Sequence, residues 1–394
     1  MHLPYTSNAA ITEAMKKITS IITAALLATS LVLTGCSSKD SEDKTPADTS
    51  DFIKIAVAGP MTGNDSEYGK GFFYAAQLKA DEWNENGGVL GKQIEILSYD
   101  DKNSSDEADL IAHNIVSEKG IVGVIGHFSS GVCMTAAKTY NENQIIEISP
   151  SASHPDYTAV GEYIFRNNTV IDIEAQTAVD IAVNDLGKKS IGLISIKTEW
   201  GTNTAGVVQK LVKEMGGDLV AHEEVSEGSD DYSSVVTKLN AAGAQVIIVA
   251  GMYNTLAPVA AQYKQINPDI EIVGFSNAYS QNLLDLGGEA VEGIRFPVIF
   301  FSESDNPEIS DYVERYEKEY GAAPSALTSQ AYDSTGMLLE AVKAAGTTDR
   351  EAVRAKLQEL SYSGVTGETK FDENREVSKD FIKVKVQDGN FVPA

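Results

Sequence analysis

The chain has 394 residues, which is long enough for two domains that each bury a full core. Hydrophobic residues make up 42% of it and charged residues 22%, values that are ordinary for a soluble globular protein. The net charge of −26 argues against binding to nucleic acid and against adhesion to anionic membrane surfaces, because both carry negative charge themselves.

The amino-terminal segment has the pattern of a signal peptide that ends at a lipid-modified cysteine. Met15-Lys16-Lys17 is a charged n-region, and Ile18–Leu33 is an apolar run too short to span a membrane comfortably. Leu33-Thr34-Gly35-Cys36 then matches the lipobox of bacterial lipoproteins. We therefore predict a signal peptide over residues 1–35, with translation starting at Met15, and lipidation of Cys36. An uncleaved signal anchor is the alternative.

Residues 36–50 are mostly Ser, Asp, Lys and Thr, a composition that is typical of a flexible tether. The mature protein is then expected outside the cytoplasm, anchored to the cell membrane as a lipoprotein. Because Cys36 would be modified, Cys133 has no disulfide partner. Cys133 lies on the apolar stripe of a predicted helix, which indicates a buried, inert side chain.

Strand and helix patterns alternate through the next hundred residues without any hairpin signal. The predicted elements are strand Phe52–Ala58, a helix with Phe72, Ala76, Ala80 and Trp83 on one face, strand Gln93–Tyr99, helix Ser104–Lys119, strand Ile121–Ile125, a helix through Cys133 and Tyr140, and strand Ile145–Ile148. Repeated strand–helix units in this order predict a doubly wound parallel sheet.

Two hydroxyl-rich turns follow consecutive strands of this predicted sheet. Ser129 and Ser130 come after the third strand, and Ser151-Ala152-Ser153 comes after the fourth. The carboxyl ends of parallel strands share one sheet edge, where open α/β sheets bind ligands. Ser130 also begins a helix, whose free N–H groups attract an anion. Since no Lys or Arg is present in either turn, a carboxylate fits better than a phosphate. One such serine alone would more simply be a helix N-cap.

The pattern restarts near Ile171 and predicts a second parallel α/β lobe of similar size. Its elements are helix Glu174–Leu186, strand Ser190–Ile196, helix Thr202–Met215, strand Asp218–Glu223, helix Tyr232–Ala242, strand Gln245–Ala250, helix Thr255–Gln265 and strand Glu271–Gly274. After strand Ile294–Phe301 the pattern predicts three helices, near Pro307–Tyr320, Ala326–Ala345 and Asp349–Leu360, and then short antiparallel strands between Ser363 and Asn390.

The sequence contains no recognisable catalytic or metal-binding constellation. The five histidines form no metal pair at helical spacing, and there is no CxxC, Walker-type loop, GxGxxG or GxSxG motif. Asp100-Asp101 and Asp230-Asp231 lie in strand-end turns, where adjacent acids are usually solvated. His127 follows a strand, so it either faces the cleft or, as is more usual for such a histidine, caps a neighbouring carbonyl. We therefore predict no enzyme activity, no cofactor and no metal.

Short motifs that are spread along the chain from Asp51 together suggest a family. They are Ile55-Ala56-Val57, Gly59-Pro60-Met61-Thr62-Gly63, Tyr68-Gly69, Asn86-Gly87-Gly88-Val89, Asp100-Asp101, Val124-Ile125-Gly126-His127, Ile148-Ser149-Pro150 and Gln330-Ala331-Tyr332-Asp333. With these motifs the chain resembles the extracytoplasmic solute-binding proteins of the leucine/isoleucine/valine-binding type, which feed branched-chain amino acid ABC transporters. The motifs are specific for the family and weak for the ligand.

The resemblance implies the periplasmic binding protein type I fold, in which two doubly wound α/β lobes are joined by three crossovers and clamp a solute. Lobe 1 would span residues 51–169 and 300–360, and lobe 2 residues 170–298, with the tail at 375–394 crossing back. The implied partners are a small-molecule ligand and ABC permease subunits, and we expect a monomer with no nucleic-acid partner.

The resemblance also implies a set of ligand-binding residues. Ser130 and Ser153 fall where the family holds the carboxylate and the ammonium of an amino acid, and the carbonyl of Ala152 falls where one accepts from the ammonium. The remaining expected residues line the pocket or lie in its turns: Tyr68, Phe128, Ser129, Ser151, Trp200 in place of the usual Tyr, Met252, Tyr253, Ser276 and Asn277.

One departure from the family pattern concerns the counter-charge for the ammonium. Where amino-acid binders present a Glu or Asp, this chain has Gly274-Phe275-Ser276-Asn277. A buried ammonium without a counter-charge is energetically expensive. Either Glu199 or Asp333 reaches the ligand, although a solvated rim position and a helix-start position are the simpler interpretations, or the ligand is an amide or a small carboxylate.

These observations predict a lipid-anchored substrate-binding protein of an ABC importer that binds a small amino acid or a related carboxylate or amide. Two other classes stay open. One is the ligand sensor subunit of a signalling receptor, which would use the same lobe closure. The other is an enzyme on a similar two-lobed scaffold, which the absence of a nucleophile motif disfavours.

Overall fold

The computed structural model describes residues 52–394. The predicted signal peptide, the tether and Cys36 lie outside these residues. The described strands are β1 Phe52–Gly59, β2 Gln93–Asp100, β3 Ile121–Gly126, β4 Ile146–Ser149, β5 Ile164–Arg166, β6 Ser190–Ile196, β7 Asp218–Val225, β8 Val246–Ala250, β9 Glu271–Val273, β10 Arg295–Val298, β11 Ser361–Gly364, β12 Gly367–Lys370, β13 Ile382–Gln387 and β14 Asn390–Pro393.

The described α-helices are α1 Ser66–Glu85, α2 Ser105–Ser117, α3 Ser130–Glu142, α4 Ile171–Asp180, α5 Glu199–Glu214, α6 Ser233–Ala241, α7 Tyr253–Ile266, α8 Gln281–Gly287, α9 Pro307–Tyr320, α10 Ala326–Ala345 and α11 Arg350–Glu359. Within the described part of the chain, none of them combines the length and the apolar character that a membrane crossing requires.

The first sheet has the strand order β2-β1-β3-β4-β5, and all of its pairs are parallel. Side chains of β1 alternate between two separate cores. Ile55 and Val57 pack in one core with Phe72 of α1, while Ala56 and Ala58 pack in the other with Ala112 of α2. Both faces of the sheet are therefore covered by helices, which confirms the predicted doubly wound arrangement.

The second sheet has the strand order β14-β13-β10-β9-β8-β6-β7. Strands β6 to β10 pair in parallel, and β13 and β14 extend the sheet in antiparallel fashion beyond β10. Strand β8 is buried along its whole length, as expected for a parallel strand covered on both faces. The prediction of two parallel α/β sheets is thus confirmed, and so is that of short antiparallel strands near the carboxyl terminus.

Several short elements differ from the sequence prediction. Strand β5 and helix α8 were not predicted, because three and seven residues are too few to display a period. Helix α4 begins at Ile171, three residues before the predicted start at Glu174, and continues as a π-helical turn over Ile181–Asp185. Glu174 therefore lies in the first turn of α4, with its side chain 4% exposed.

The chain passes between the two sheets three times: after β5, after β10 and after β12. Helices α10 and α1 pack against each other beside the first sheet, so the segment after β10 returns to that sheet. Near the first passage, Gln330 of α10 donates hydrogen bonds to the carbonyls of Pro150 and Asn167 at 2.8 and 2.7 Å. The serine turn after β4 is thereby fixed to a helix 180 residues away in the chain.

Candidate ligand-binding site

A narrow cavity of about 30 Å³ lies where the carboxyl ends of the two sheets face each other. It has room for about one or two water molecules, so a larger solute requires the two sheets to stand further apart than they do in this arrangement. Residues from both lobes line it: Phe128, Ser129, Ser130, Ser151, Ser153, Asn168, Glu174, Thr198, Trp200, Met252, Ser276, Asn277 and Leu327. Nine of the twelve ligand-binding residues predicted from the sequence are among them. The other three, Tyr68, Ala152 and Tyr253, are not.

The structure brings the two serine turns together. The backbone N–H of Ser153 donates to Ser130 Oγ at 3.3 Å, and both residues are 2% exposed. The hydroxyl of Ser151 is already used, because it donates to the carbonyl of Phe128 at 2.7 Å. Ser129 is the N-cap residue of α3, and its side chain makes no capping hydrogen bond. Ser129, Ser130 and Ser153 therefore each keep a hydroxyl proton to donate to an anion, and the last two lie within hydrogen-bond distance of each other.

A buried histidine supports the turn that carries Phe128 and Ser130. His127 Nδ1 lies 2.6 Å from Asp101 Oδ2, and His127 Nε2 lies 3.1 Å from the Tyr140 hydroxyl. All three side chains are fully buried. The expectations that Asp101 is solvated and that His127 caps a carbonyl are thus wrong, because the two side chains partner each other behind the sheet edge. The histidine positions the turn and does not face the cavity.

Tyr68 joins the two lobes instead of lining the cavity. Its hydroxyl donates to the carbonyl of Asn277 at 2.8 Å, and its ring stacks on Phe128 with centroids 4.2 Å apart. Tyr253 is half-buried and lines grooves on the outer surface, while its ring lies 6.2 Å from that of Tyr68. The carbonyl of Ala152 already accepts a hydrogen bond from the buried Arg166 guanidinium at 3.3 Å. Tyr68 and Tyr253 thus form part of the wall behind the residues that line the cavity.

Trp200, at the start of α5, covers the serine turns from the second lobe. Its indole Nε1–H donates to Ser153 Oγ at 3.1 Å. Its ring packs edge-on against Phe275, with centroids 5.9 Å apart, and is 9% exposed. The Trp200–Ser153 and Tyr68–Asn277 hydrogen bonds both cross the cleft, so the lobes are closed on each other. Residues 52–394 accordingly pack as one compact unit.

Met252, Ser276 and Asn277 complete the second-lobe side of the cavity. The Asn277 amide nitrogen lies 2.9 Å from Met252 Sδ, and the backbone N–H of Ser276 donates to Glu174 Oε1 at 2.6 Å. Asn277 Oδ1 is buried and has no hydrogen-bond partner within the described residues. An unpartnered buried acceptor beside a cavity is a site that a ligand donor can satisfy.

Two helix N-termini, those of α3 and α5, lie beside the serine turns, and a third, that of α7, lies on the Asn277 side of the cavity. Helix α3 begins at Ser130, α5 at Glu199 and α7 at Tyr253, each directly after a strand of its own sheet. The free N–H groups of a first helical turn carry partial positive charge. The backbone therefore makes this part of the site favourable for an anionic group without any Lys or Arg among the lining residues.

Glu174 is the one ionisable side chain among the residues that line the cavity, and the sequence prediction missed it. Burial raises the pKa of Glu174 to about 7, while hydrogen bonding from Ser276 opposes that rise. Among the described residues, no Lys, Arg or His forms an ion pair with it. The available signal was its position in α4, on the face shared with the buried Ile171, Ala175 and Ala178.

Neither of the two carboxylates considered from the sequence reaches the cavity. Glu199 is exposed at the rim, where its carboxylate lies against Gly131 of the first lobe, so closely that a Cβ at Gly131 would come within 2.7 Å of Oε2. Asp333 is not at a helix start but in the middle of α10, and it is fully buried. Its carboxylate accepts hydrogen bonds from the amides of Val365 and Thr366 at 3.1 and 2.8 Å.

Within residues 52–394, no group of His, Cys, Asp and Glu side chains is arranged to hold a metal ion. Cys133 is a free, buried cysteine, and burial raises the pKa of its thiol well above the ordinary value. The side chain is therefore a small buried hydrophobe, as predicted.

Comparison with known proteins agrees with this architecture. A family model described as periplasmic binding protein matches residues 53–390. The Leu/Ile/Val-binding protein homolog 1 of Brucella suis biovar 1 is 28% identical over 323 residues, covering 82% of this chain and 86% of the relative.

Two solved structures show the same fold. The leucine binding protein LivK from Thermotoga maritima is 25% identical with a TM-score of 0.80, covering 87% of this chain and 97% of that one. The branched-chain amino acid transporter substrate binding protein LivJ from Streptococcus pneumoniae, in complex with isoleucine, is also 25% identical with a TM-score of 0.80, covering 86% and 97%.

Proposed function

The chain belongs to the periplasmic binding protein family, and on that premise we propose that it is the lipid-anchored substrate-binding protein of an ABC importer. Its ligand is a small amino acid, or a related carboxylate or amide, held between the two lobes. The protein itself performs no chemistry, and the energy for transport comes from the ATPase subunits of the importer. The relatives that are named for leucine, isoleucine and valine binding support the amino-acid class.

The observation that carries this proposal is the pairing of the two serine turns at the sheet edge. Ser130 and Ser153 lie together, each with a hydroxyl proton to donate, at the N-terminus of α3. A carboxylate placed there accepts from both hydroxyls and from the first-turn N–H groups of the helix. Trp200 covers this position and excludes water, which strengthens the few hydrogen bonds that fix the ligand.

The permease recognises the closed form of the protein. Lobe 1 comprises residues 51–169 and 300–360, and lobe 2 comprises residues 170–298 with the tail at 375–394. Ligand binds first to Ser130 and Ser153 of lobe 1, and the lobes then rotate about the three passages until Trp200 covers it. The ligand favours the closed form because contacts from the second lobe are available only there. The lipid on Cys36 keeps the closed form near the permease.

A thermal-shift screen of the purified protein over amino acids, amides and small carboxylates tests the proposal. A ligand raises the melting temperature by mass action, so at least one small carboxylate-bearing solute is expected to do so. Calorimetry of Ser153→Ala with that solute should show a loss of at least tenfold in affinity, whereas Ser117→Ala, in the distant helix α2, should bind normally. Unchanged affinity in Ser153→Ala, or no response to any solute of these classes, would refute the assignment.

A further inference from the structure

The second lobe places a buried carboxylate in the cavity at the position where the sequence motif lacks one. Glu174 reaches the turn Ser276–Ala278 from helix α4, and its Oε1 accepts the N–H of Ser276 at 2.6 Å. The family pattern would present an acid from that turn itself, but this chain has Ser276 and Asn277 there. A residue about a hundred positions earlier in the chain therefore supplies the carboxylate to the same location.

The surroundings of Glu174 give its carboxylate a hydrogen bond from Ser276 but no cationic partner. The side chain is 4% exposed, and the other residues that line the cavity are all uncharged. Hydrogen bonding from Ser276 opposes the rise in the pKa of Glu174. Among the described residues, no Lys, Arg or His forms an ion pair with Glu174. A buried carboxylate in this setting is costly unless a cation approaches it.

Asn277 adds a second acceptor at the same place. Its Oδ1 is buried and unpartnered, and Asn277 lines the cavity together with Glu174. A primary ammonium has three N–H donors, which matches a carboxylate oxygen, an amide oxygen and one further acceptor such as a serine hydroxyl. A neutral amide or a plain carboxylic acid offers no cation to this end of the site.

From this geometry we infer that Glu174 is the counter-charge for the ammonium group of the ligand, and that the ligand class is therefore a zwitterionic α-amino acid. The inference rests on the proposed function and selects among its ligand classes. The serine turns and the N-terminus of α3 hold the carboxylate of the ligand. Glu174, with Asn277 beside it, holds the ammonium from the opposite lobe, so closure depends on both charges of one small molecule.

Matched ligand pairs test this assignment by calorimetry. The probes are leucine, isoleucine, valine and alanine, each against its analogue without the amino group, for example leucine against 4-methylpentanoate. Wild-type protein should bind at least one amino acid more tightly than its analogue by a hundredfold or more. Glu174→Gln keeps an acceptor for Ser276 and removes the charge, so it should weaken the amino acid by at least thirtyfold and change the analogue by less than threefold. Glu147→Gln, a buried acid of β4 that does not line the cavity, is the matched control.

Proton release provides a readout that a purely structural role for Glu174 would not change. At pH 6 the free protein holds a proton on Glu174, since its pKa is about 7, and an ammonium must displace it. Titrations in two buffers of different ionisation enthalpy should show close to one proton released per amino acid bound at pH 6 and almost none at pH 8.5. Glu174→Asp, which restores the charge, should recover part of the affinity and the release.

The possible outcomes distinguish failure of the assignment of Glu174 from failure of the proposed function. The inference is overturned, and the proposed function stands, if wild type and Glu174→Gln bind an amino acid equally strongly. The same holds if Glu174→Gln loses affinity equally for both members of a ligand pair. Absence of proton release by the wild type at pH 6 overturns it as well, even if Glu174→Gln does not fold. If the wild type binds an amide or a small carboxylate of the thermal-shift screen but no amino acid, the inference fails and the proposed function stands. If it binds no solute of that screen, both fail.

Discussion

Trp200 is expected both to hold the two lobes together and to orient the hydroxyl of Ser153. Its indole N–H donates to Ser153 Oγ at 3.1 Å in a buried environment. A serine hydroxyl that accepts this bond still has its own proton, which it can then donate to a ligand carboxylate. Removing the indole N–H should therefore weaken closure and leave the Ser153 hydroxyl free to rotate.

The size of the effect follows from the contacts. Trp200→Phe keeps an aromatic ring against Phe275 and loses one buried hydrogen bond, which contributes about 1 kcal/mol, so ligand affinity should fall about fivefold. Trp200→Ala also removes the ring that covers the serine turns. A buried tryptophan at the centre of an interface is typically worth about 2–4 kcal/mol, so the affinity should fall by roughly 30-fold to 1000-fold.

Calorimetry with the amino acid that gives the largest thermal shift measures both losses. Trp83→Phe is the matched control, because Trp83 lies in the last turn of α1 beside Lys343 and does not line the cavity. In the double variant Trp200→Phe/Ser153→Ala, the loss of binding free energy should be smaller than the sum of the losses in the two single variants, since both changes remove the same hydrogen bond. The reasoning would be refuted if both Trp200→Phe and Trp200→Ala bound the ligand with an affinity within a factor of 1.5 of the wild type, because the contact of Trp200 with Ser153 would then have no role in binding.

Three further outcomes are expected. Asp333→Ala removes the acceptor of three hydrogen bonds from Val365 and Thr366, so the free energy of unfolding in urea should fall by about 3–5 kcal/mol, and an unchanged midpoint would contradict the network. Burial and the neighbouring Asp65 raise the pKa of Glu227 to about 8, so the folded protein retains a proton that the unfolded chain loses above about pH 4.5. The thermal stability of the wild type should therefore decline from pH 5 to pH 9, and that of Glu227→Gln should decline less. Melting temperatures of the two proteins that change in parallel with pH would exclude this. Cys36→Ser should abolish incorporation of a radioactive fatty acid, and a variant that is still labelled would place the lipid elsewhere.

The fold could be predicted largely because its parallel strands are continuous apolar runs. Strands β3 and β8 are buried at every residue, and Ile121–Ile125 and Gln245–Ala250 were recognisable in the sequence for that reason. The pairing between distant segments could not be predicted in the same way. The hydrogen bonds from Gln330 to Pro150 and Asn167 join residues more than 160 positions apart, and no local period carries that information.

The serine side of the site was predictable for a topological reason. Two turns that follow neighbouring parallel strands must lie at the same sheet edge, and the structure brings Ser130 and Ser153 within hydrogen-bond distance there. Asp101 and His127 illustrate the opposite case. Acids in a strand-end turn are usually solvated, but the pairing of Asp101 with His127 depends on side-chain directions that the sequence pattern does not specify.

Glu174 was missed from the sequence because its place on the apolar face of α4 is a weak signal, and its burial depends on the second lobe as a whole. Near the start of a helix, beside Asp172, a glutamate is most simply a solvated side chain that favours the helix dipole. Only the approach of the Ser276 turn converts it into a buried charge that faces the cleft. The resulting site has the N-termini of α3 and α5 beside the serine turns and a buried carboxylate, Glu174, on the other side of the cavity. Such a field favours a dipolar molecule over either a simple anion or a simple cation, and it does so independently of the net charge of −26, since that charge is spread over the whole chain.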